Sequence, residues 1–194
     1  MEKFQEEVIN METTQTRKIV LCALLSALTF VGTSIIRIPT PTTGYIHPGD
    51  SFVLLSGLLL GPLWGGLAAG VGSMLSDLLG GYLVYAPATF AIKTMVAVIC
   101  AQIFQALIKR KVFSYDLPGL VPAGIVAEIF MVTGYFIFEI FLLAVLNQTD
   151  ITSGLIAAAA GVVPNLIQGL FGVILSVVLY PILKKALERT LRPL

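Results

Sequence analysis

Two long stretches of this sequence contain no charged side chain. Residues 19–36 form an uncharged run of 18 residues, and residues 151–183 form one of 33. A helix needs about 20 apolar residues to cross a hydrocarbon layer roughly 30 Å thick. Only 12% of all residues are charged, against roughly 25% in soluble domains. The sequence therefore predicts an integral membrane protein, and runs that are apolar on every side favour helices over barrel strands.

Basic residues mark the ends of the predicted crossings. They cluster at 17–18, at 109–111 and at 184–192, and the positive-inside rule places all three clusters in the cytoplasm. An even number of crossings must then separate each pair of clusters. Proline and glycine breakers divide the apolar sequence into six helices. We expect these helices near 19–36, 51–61, 63–79, 87–108, 118–146 and 154–183.

This count predicts an all-α membrane protein with six transmembrane helices and both termini cytoplasmic. Helices two and three share only the 29 residues 51–79, about 43 Å of helix, so we expect a short second helix packed on the third. Residues 1–16 form a polar N-terminal segment that we expect to be retained, followed by a single membrane domain at 17–194. The sequence leaves open whether that segment is an ordered surface helix or a loose tail.

Charged side chains inside the membrane each need an explanation, because insertion of one costs roughly 2.5–3.5 kcal/mol. Lys93 lies about 9 Å below the outer end of helix four, where it can snorkel to the headgroups, line a solute pocket or pair with Asp77. Asp77 itself ends helix three on the same outer face, and it either solvates that helix end or belongs to a site. Tyr85 is either an interfacial aromatic residue or a ring that stacks on a flat heterocycle.

Helices five and six add polar side chains near the middle of the membrane. Glu128 and Glu139 are three turns apart and share a helix face with Tyr135, while Asn165 and Gln168 follow one another at i and i+3. Hydrogen bonds between packed helices account for such residues as well as a binding site does. We favour the interhelical interpretation for Gln168 and regard Glu139 and Asn165 as the better site candidates.

The sequence contains no pattern typical of catalysis or of metal binding. It has no P-loop, no HExxH, no GxSxG and no cluster of histidines or cysteines. Cys22 and Cys100 fit a role as small buried hydrophobic residues, and His47, the chain's one histidine, lies in a Pro-Gly loop and is interpreted as a turn residue rather than a catalyst. We therefore expect no enzyme activity, no catalytic residue, no metal and no cofactor in this chain.

Several motifs occur in an order that resembles one family. They are ALLSA in helix one, followed by GYIHPGD, LLLGPLWGG, GSMLSDLLGGY and YAPATFAIK. Over nearly its whole length the chain resembles the substrate-binding S component of the prokaryotic energy-coupling factor (ECF) vitamin transporters. Within that family it looks most like the branch for hydroxymethylpyrimidine, pyridoxine and riboflavin-like heterocycles, with hydroxymethylpyrimidine or pyridoxine as the first expectation.

The resemblance implies a vitamin pocket near the outer face, gated by the loop between helices one and two. The residues that we expect to contact the substrate are Lys93, Asp77, Tyr85, Glu139, Asn165, Tyr135 and His47. Tyr45, Gly49 and Asp50 would shape the lid over this pocket. Ala23 and Ala27, four residues apart in ALLSA, would dock the coupling subunit.

The resemblance also implies a membrane coupling subunit and two cytoplasmic ATPases as partners, so that ATP would be used by the partners of an ECF-type ABC importer. The S component would lie in the prokaryotic cell membrane and topple to release substrate inside. One alternative is riboflavin or another vitamin as substrate. A second is a self-sufficient proton-coupled carrier, because intramembrane carboxylates can relay protons. A membrane enzyme using Asp77, Glu128 and Glu139 as acid–base groups lacks an accompanying nucleophile.

Overall fold

The computed structural model describes the backbone of residues 2–112 and 116–191 and the side chains of residues 15–112 and 117–187. Five helices make up nearly all of it: α1 Glu2–Ser34, α2 Asp50–Gly80, α3 Ala86–Lys109, α4 Asp116–Leu146 and α5 Ile151–Leu191. Within the described residues, each of the five contains a segment long and apolar enough to cross a membrane. The prediction of an all-helical membrane protein is confirmed, and the chain is a multi-pass membrane protein.

Helix α1 begins well before the predicted start at residue 19. It runs without interruption from Glu2, so the polar segment predicted at 1–16 continues the first helix, except for Met1, which lies outside the described residues. The segment that is apolar enough to cross a membrane begins at Gln15. The division into a segment at 1–16 and a domain at 17–194 stays a prediction.

Helix α2 occupies the range in which the sequence predicted two helices, 51–61 and 63–79. Its backbone leaves the helical conformation at Gly61, with φ 78° and ψ −177°, directly before Pro62. A Cβ placed on Gly65 would lie only 2.7 Å from the Gly57 Cα, although residues eight apart in a straight helix are separated by about 12 Å. The chain therefore doubles back at Gly61, and glycine is needed there because other residues rarely adopt this positive φ.

Small residues let the helices pack closely around this reversal. A Cβ on Gly57 would collide with the carbonyl oxygen of Ala97 in α3, and one on Gly72 would collide with the carbonyl oxygen of Ser26 in α1. The apolar core lies where α2, α3, α4 and α5 meet, around Leu54 and Met131, both fully buried. Large apolar side chains also remain exposed along the helices, as expected of surfaces that face lipid.

A small antiparallel hairpin interrupts the helical fold between α1 and α2. Strand β1, Ile38–Pro39, pairs with β2, Tyr45–Ile46, in the register Ile38 to Ile46 and Pro39 to Tyr45. The sequence indicated only a loop here. The hairpin matters because residues 40–44, between its strands, reach the polar ends of the neighbouring helices.

Candidate functional site

A polar cavity lies between the β1–β2 hairpin and the helices α2, α3, α4 and α5. The hairpin region contributes Thr40, Gly44, Tyr45 and His47 to its lining. The helices contribute Asp77 from α2, Tyr85 and Thr89 from the start of α3, Tyr135 and Glu139 from α4, and Asn165 and Gln168 from α5. The cavity volume is about 30 Å³, room for roughly one or two water molecules. A larger solute therefore enters only if the hairpin moves away from the helix ends.

Glu139 is the centre of one hydrogen-bond network at this cavity. Its Oε1 accepts a hydrogen bond from the Tyr85 hydroxyl at 3.0 Å and another from the Thr42 hydroxyl at 2.9 Å. The Tyr85 hydroxyl also lies 2.8 Å from the Thr43 hydroxyl. Burial raises the pKa of Tyr85, which keeps the phenol neutral and able to donate. Among the described residues, the second oxygen of Glu139, Oε2, is buried without a hydrogen-bond partner and lies next to Gly161 of α5, so it is an unused acceptor on a residue that lines the cavity.

Tyr45 anchors the hairpin to the end of α2. Its hydroxyl donates a hydrogen bond to Asp77 Oδ1 at 2.7 Å, and burial raises the pKa of this tyrosine. The ring packs against Tyr82 with a centroid distance of 4.5 Å, while the Arg37 guanidinium lies 5.1 Å from its centroid. Asp77 and Glu139, both of which line the cavity, each accept a hydrogen bond from the hairpin.

A buried ion pair lies outside the lining of the cavity. Lys93 in α3 donates a short hydrogen bond to Asp50 Oδ1, and both side chains are fully buried. Gln168 of α5 donates to the other Asp50 oxygen at 2.7 Å and accepts from the backbone N–H of His47 at 2.8 Å. Three helices and the hairpin are thus joined through one carboxylate.

This pair bears on two expectations from the sequence. Lys93 neither snorkels nor pairs with Asp77, because its ammonium is enclosed by the bundle beside Asp50. Asp50 is the first residue of α2 and is fully buried, and its role in shaping the lid stays a prediction. Lys93 approaches the cavity only indirectly, through Tyr135, whose ring centroid lies 5.3 Å from the ammonium and whose hydroxyl donates to Thr89 at 3.0 Å.

His47 is a neutral side chain held in a turn. Its Nδ1 accepts a hydrogen bond from the Gly49 backbone N–H at 3.0 Å, an arrangement that requires an unprotonated nitrogen. Burial lowers the pKa of His47 to about 3, although part of the side chain stays exposed. The Asp50 charge opposes this shift, and the Lys93 and Arg37 charges act with it. Gly49 is needed next to it because a Cβ there would approach His47 Nδ1 to 2.7 Å and collide with Thr33.

Most of the candidates named from the sequence converge on the cavity. Asp77, Tyr85, Glu139, Asn165, Tyr135, His47 and Tyr45 line it; Lys93, Gly49 and Asp50 lie behind it. Sequence reasoning missed Thr40 and Thr89, included Gly44 only as part of the GYIHPGD motif, and favoured helix packing for Gln168. The TPTTG stretch at 40–44 was the available signal, since hydroxyls between two prolines or glycines are typical of a shaped turn.

Ala23 and Ala27 lie away from the cavity, on α1. Both side chains are exposed, while Leu25 and Thr29 between and beyond them are buried. The two alanines thus form a smooth, accessible strip on the outer surface of the bundle. Their docking role stays a prediction.

Comparisons with known proteins agree with this architecture. A family model described as the S component of an ECF-type riboflavin transporter matches residues 13–185. A protein from Pyrococcus woesei, described as an uncharacterized protein in gap 3' region, is 34% identical over 156 residues, which cover 80% of this chain and 93% of that protein. The solved structure of the S component of a bacterial ECF transporter superposes with a TM-score of 0.69 at 24% identity, covering 90% of this chain and 99% of the other. At that identity the superposition shows a shared fold.

Proposed function

Because this chain belongs to the family of S components of ECF-type riboflavin transporters, a family of transporter subunits rather than of enzymes, we propose that it captures a small heterocyclic vitamin at the outer face of the membrane. The best candidates are hydroxymethylpyrimidine and pyridoxine. The observation that carries the proposal is the cavity under the hairpin, which combines stacking rings with several polar groups that converge on one small space.

Two features of the cavity favour a small nitrogen heterocycle. Tyr85 and Tyr135 offer aromatic faces at its wall, and the unpartnered Glu139 Oε2 accepts a hydrogen bond from a ring N–H, an amino group or a hydroxyl. The volume of about 30 Å³ admits neither a one-ring compound nor the three fused rings of riboflavin until the hairpin moves, so the preference for a one-ring compound comes from the motif resemblance. Riboflavin remains the alternative substrate, favoured by the description of the family.

The hairpin is the lid in this proposal. Opening it breaks the hydrogen bonds from Thr42 to Glu139 and from Tyr45 to Asp77. Each bond to a charged acceptor contributes about 1.5–3 kcal/mol, so a bound substrate must replace them. Since Glu139 accepts from Thr42 through Oε1 and offers Oε2 to the substrate, one side chain contacts both the lid and the substrate, which couples binding to lid movement.

The proposal extends to topology and partners. The reversal at Gly61 supports counting α2 as two crossings, which gives six transmembrane helices with both termini cytoplasmic and the cavity on the outer side. The exposed strip at Ala23 and Ala27 would dock a membrane coupling subunit, which in turn would bind two cytoplasmic ATPases. Release would then follow from toppling of this chain in the membrane, with ATP hydrolysed by the partners.

The test is native mass spectrometry of the detergent-purified chain with added pyridoxine, hydroxymethylpyrimidine or riboflavin. We expect one heterocycle per chain, and a loss of roughly tenfold or more in affinity on Glu139→Gln, because a charged acceptor is lost. Asp150→Asn is the matched control, since Asp150 is an acid in the exposed loop before α5, and it should leave the affinity unchanged. Equal affinities of parent and Glu139→Gln would exclude Glu139 from the site.

A second experiment separates the S component from a self-sufficient carrier. Proteoliposomes that contain this chain alone should accumulate no labelled vitamin under an imposed proton gradient. Uptake should require the coupling subunit, both ATPases and ATP. Gradient-driven uptake by the lone chain would replace the S-component mechanism with the proton-coupled one.

A further inference from the structure

An apolar cleft opens between α4 and α5, away from the vitamin cavity. Its rim carries four apolar side chains that are about half exposed, namely Ile125, Ile129, Leu166 and Leu170. Its volume is about 230 Å³. Since both helices are membrane-spanning segments, this cleft opens toward the hydrocarbon layer rather than toward water.

A single carboxyl group lies at the floor of this cleft. Glu128 lines the cleft but is only 5% exposed. Among the described residues, neither of its carboxyl oxygens has a partner at normal hydrogen-bond distance, although the Asp50 carboxyl is close enough to interact with it. The space for the carboxyl exists because α5 has a glycine opposite it: a Cβ on Gly169 would lie 2.9 Å from the Glu128 Cβ and 3.2 Å from Oε2. An ionised carboxylate at such a place, without a partner, is costly to bury.

The charged groups that act on Glu128 belong to the buried ion pair. The Asp50 carboxylate of α2 and the Lys93 ammonium of α3 both interact with it electrostatically, as does the Cys100 thiol of α3. Among the described residues, α5 places Gly169 against Glu128 and no charged group. The cluster thus has two carboxyls and one cation, and Lys93 neutralises only Asp50, so one proton is needed to make the cluster neutral.

We propose that Glu128 is a proton-binding site reached from the lipid-facing cleft, and that it is the reserve counter-ion of Lys93. In the resting arrangement the proton is on Glu128 and Lys93 pairs with Asp50. When the proton moves from Glu128 to Asp50, Asp50 becomes neutral and Lys93 pairs with the Glu128 carboxylate instead. This inference does not depend on which vitamin the chain binds.

A hydrophobic carbodiimide is the probe for this site, because it reaches carboxyls from the lipid phase and reacts with their protonated form. The Glu128 oxygen adds to the central carbon of dicyclohexylcarbodiimide and the acid proton moves to its nitrogen, so the adduct forms without a leaving group. Intact-mass and peptide mass spectrometry of the detergent-purified chain should place one adduct on Glu128. Glu128→Gln should abolish this adduct and Glu139→Gln should not. The label should diminish as the pH rises, since only the protonated form reacts.

Two substitutions in the ion pair give opposite expectations. Asp50→Asn leaves Lys93 without its carboxylate, so Glu128 should ionise and the labelling at pH 7 should fall at least tenfold. Lys93→Met removes the cation, so labelling of Glu128 should persist to higher pH than in the parent. A lasting label on Glu128 in Asp50→Asn would overturn the counter-ion exchange, and no label in the parent would overturn the site.

Thermal unfolding supplies a check that does not rely on chemical labelling. If Glu128 replaces Asp50, then Asp50→Asn alone should lower the unfolding temperature less than Lys93→Met. The double variant Asp50→Asn with Glu128→Gln should lower the unfolding temperature by much more than the sum of the two single decreases, because Lys93 then has no carboxylate partner. Additive effects of the two substitutions would contradict the exchange.

Discussion

Replacing Lys93 with methionine should leave the Asp50 carboxylate buried without its cation. Both side chains are fully buried, so water cannot solvate the remaining charge. Within the part of the chain that the structure describes, only the Gln168 side chain still donates a hydrogen bond to Asp50. Removing one partner of a buried pair costs about 3–5 kcal/mol. For a chain of this length that loss corresponds to a decrease of roughly 6–20 °C in unfolding temperature.

The assay is thermal unfolding of the purified chain in detergent, followed through the fluorescence of Trp64, the chain's one tryptophan. Lys109→Met is the matched control, because Lys109 is exposed at the end of α3, and it should change stability by less than about 0.5 kcal/mol. The double variant Lys93→Met with Asp50→Asn should recover most of the loss, since no unpaired charge remains. An unfolding temperature of Lys93→Met within about 2 °C of the parent would refute the argument that the pair holds the bundle together.

Three further substitutions test other parts of the structure. Ala23→Trp with Ala27→Trp should abolish co-purification with the coupling subunit and leave vitamin binding intact; a retained complex would exclude this strip as the docking surface. His47 is neutral in the folded chain and its ordinary pKa is about 6.5, so the unfolded state binds more protons between pH 6.5 and 3, and stability falls as the pH drops. Between pH 7 and pH 5, the unfolding temperature of His47→Gln should therefore decrease less than that of the parent. An equal decrease would count against this titration. Gly61→Ala should cost about 1 kcal/mol or more in thermal unfolding, because alanine is strained at φ 78°; an unchanged unfolding temperature would argue against the sharp reversal there.

Several features of the fold were available from the sequence because they follow from local rules. Uncharged runs of membrane length predict crossing helices whatever their neighbours are, and the five described helices contain them. The interruption of α2 at Gly61 was predicted from Gly61-Pro62, since proline lacks the N–H that a continuous helix needs. The start of α1 at Glu2 was not predicted, because the hydropathy of the polar N-terminal segment differs from that of the span that follows. That segment contains no helix stop signal, so the helix can continue through it.

The candidate site was predictable only in part. Glu139, Tyr135, Asp77 and Tyr85 were recognisable because polar side chains next to apolar helices need a reason to be there, and the structure brings all four to one cavity. The β1–β2 hairpin was missed, since two-residue strands leave no periodicity to detect.

By itself, the sequence determined that this chain crosses a membrane as helices, where those helices break and which polar residues need a partner, since hydropathy and backbone sterics act along the chain. The tertiary structure alone decided which partners those residues have. Lys93 pairs with Asp50, not with Asp77, and Glu128 has no partner at normal hydrogen-bond distance among the residues that the structure describes. The physical reason is that Asp50 and Lys93 are 43 positions apart, and only the packing of α2 against α3 brings their charges together.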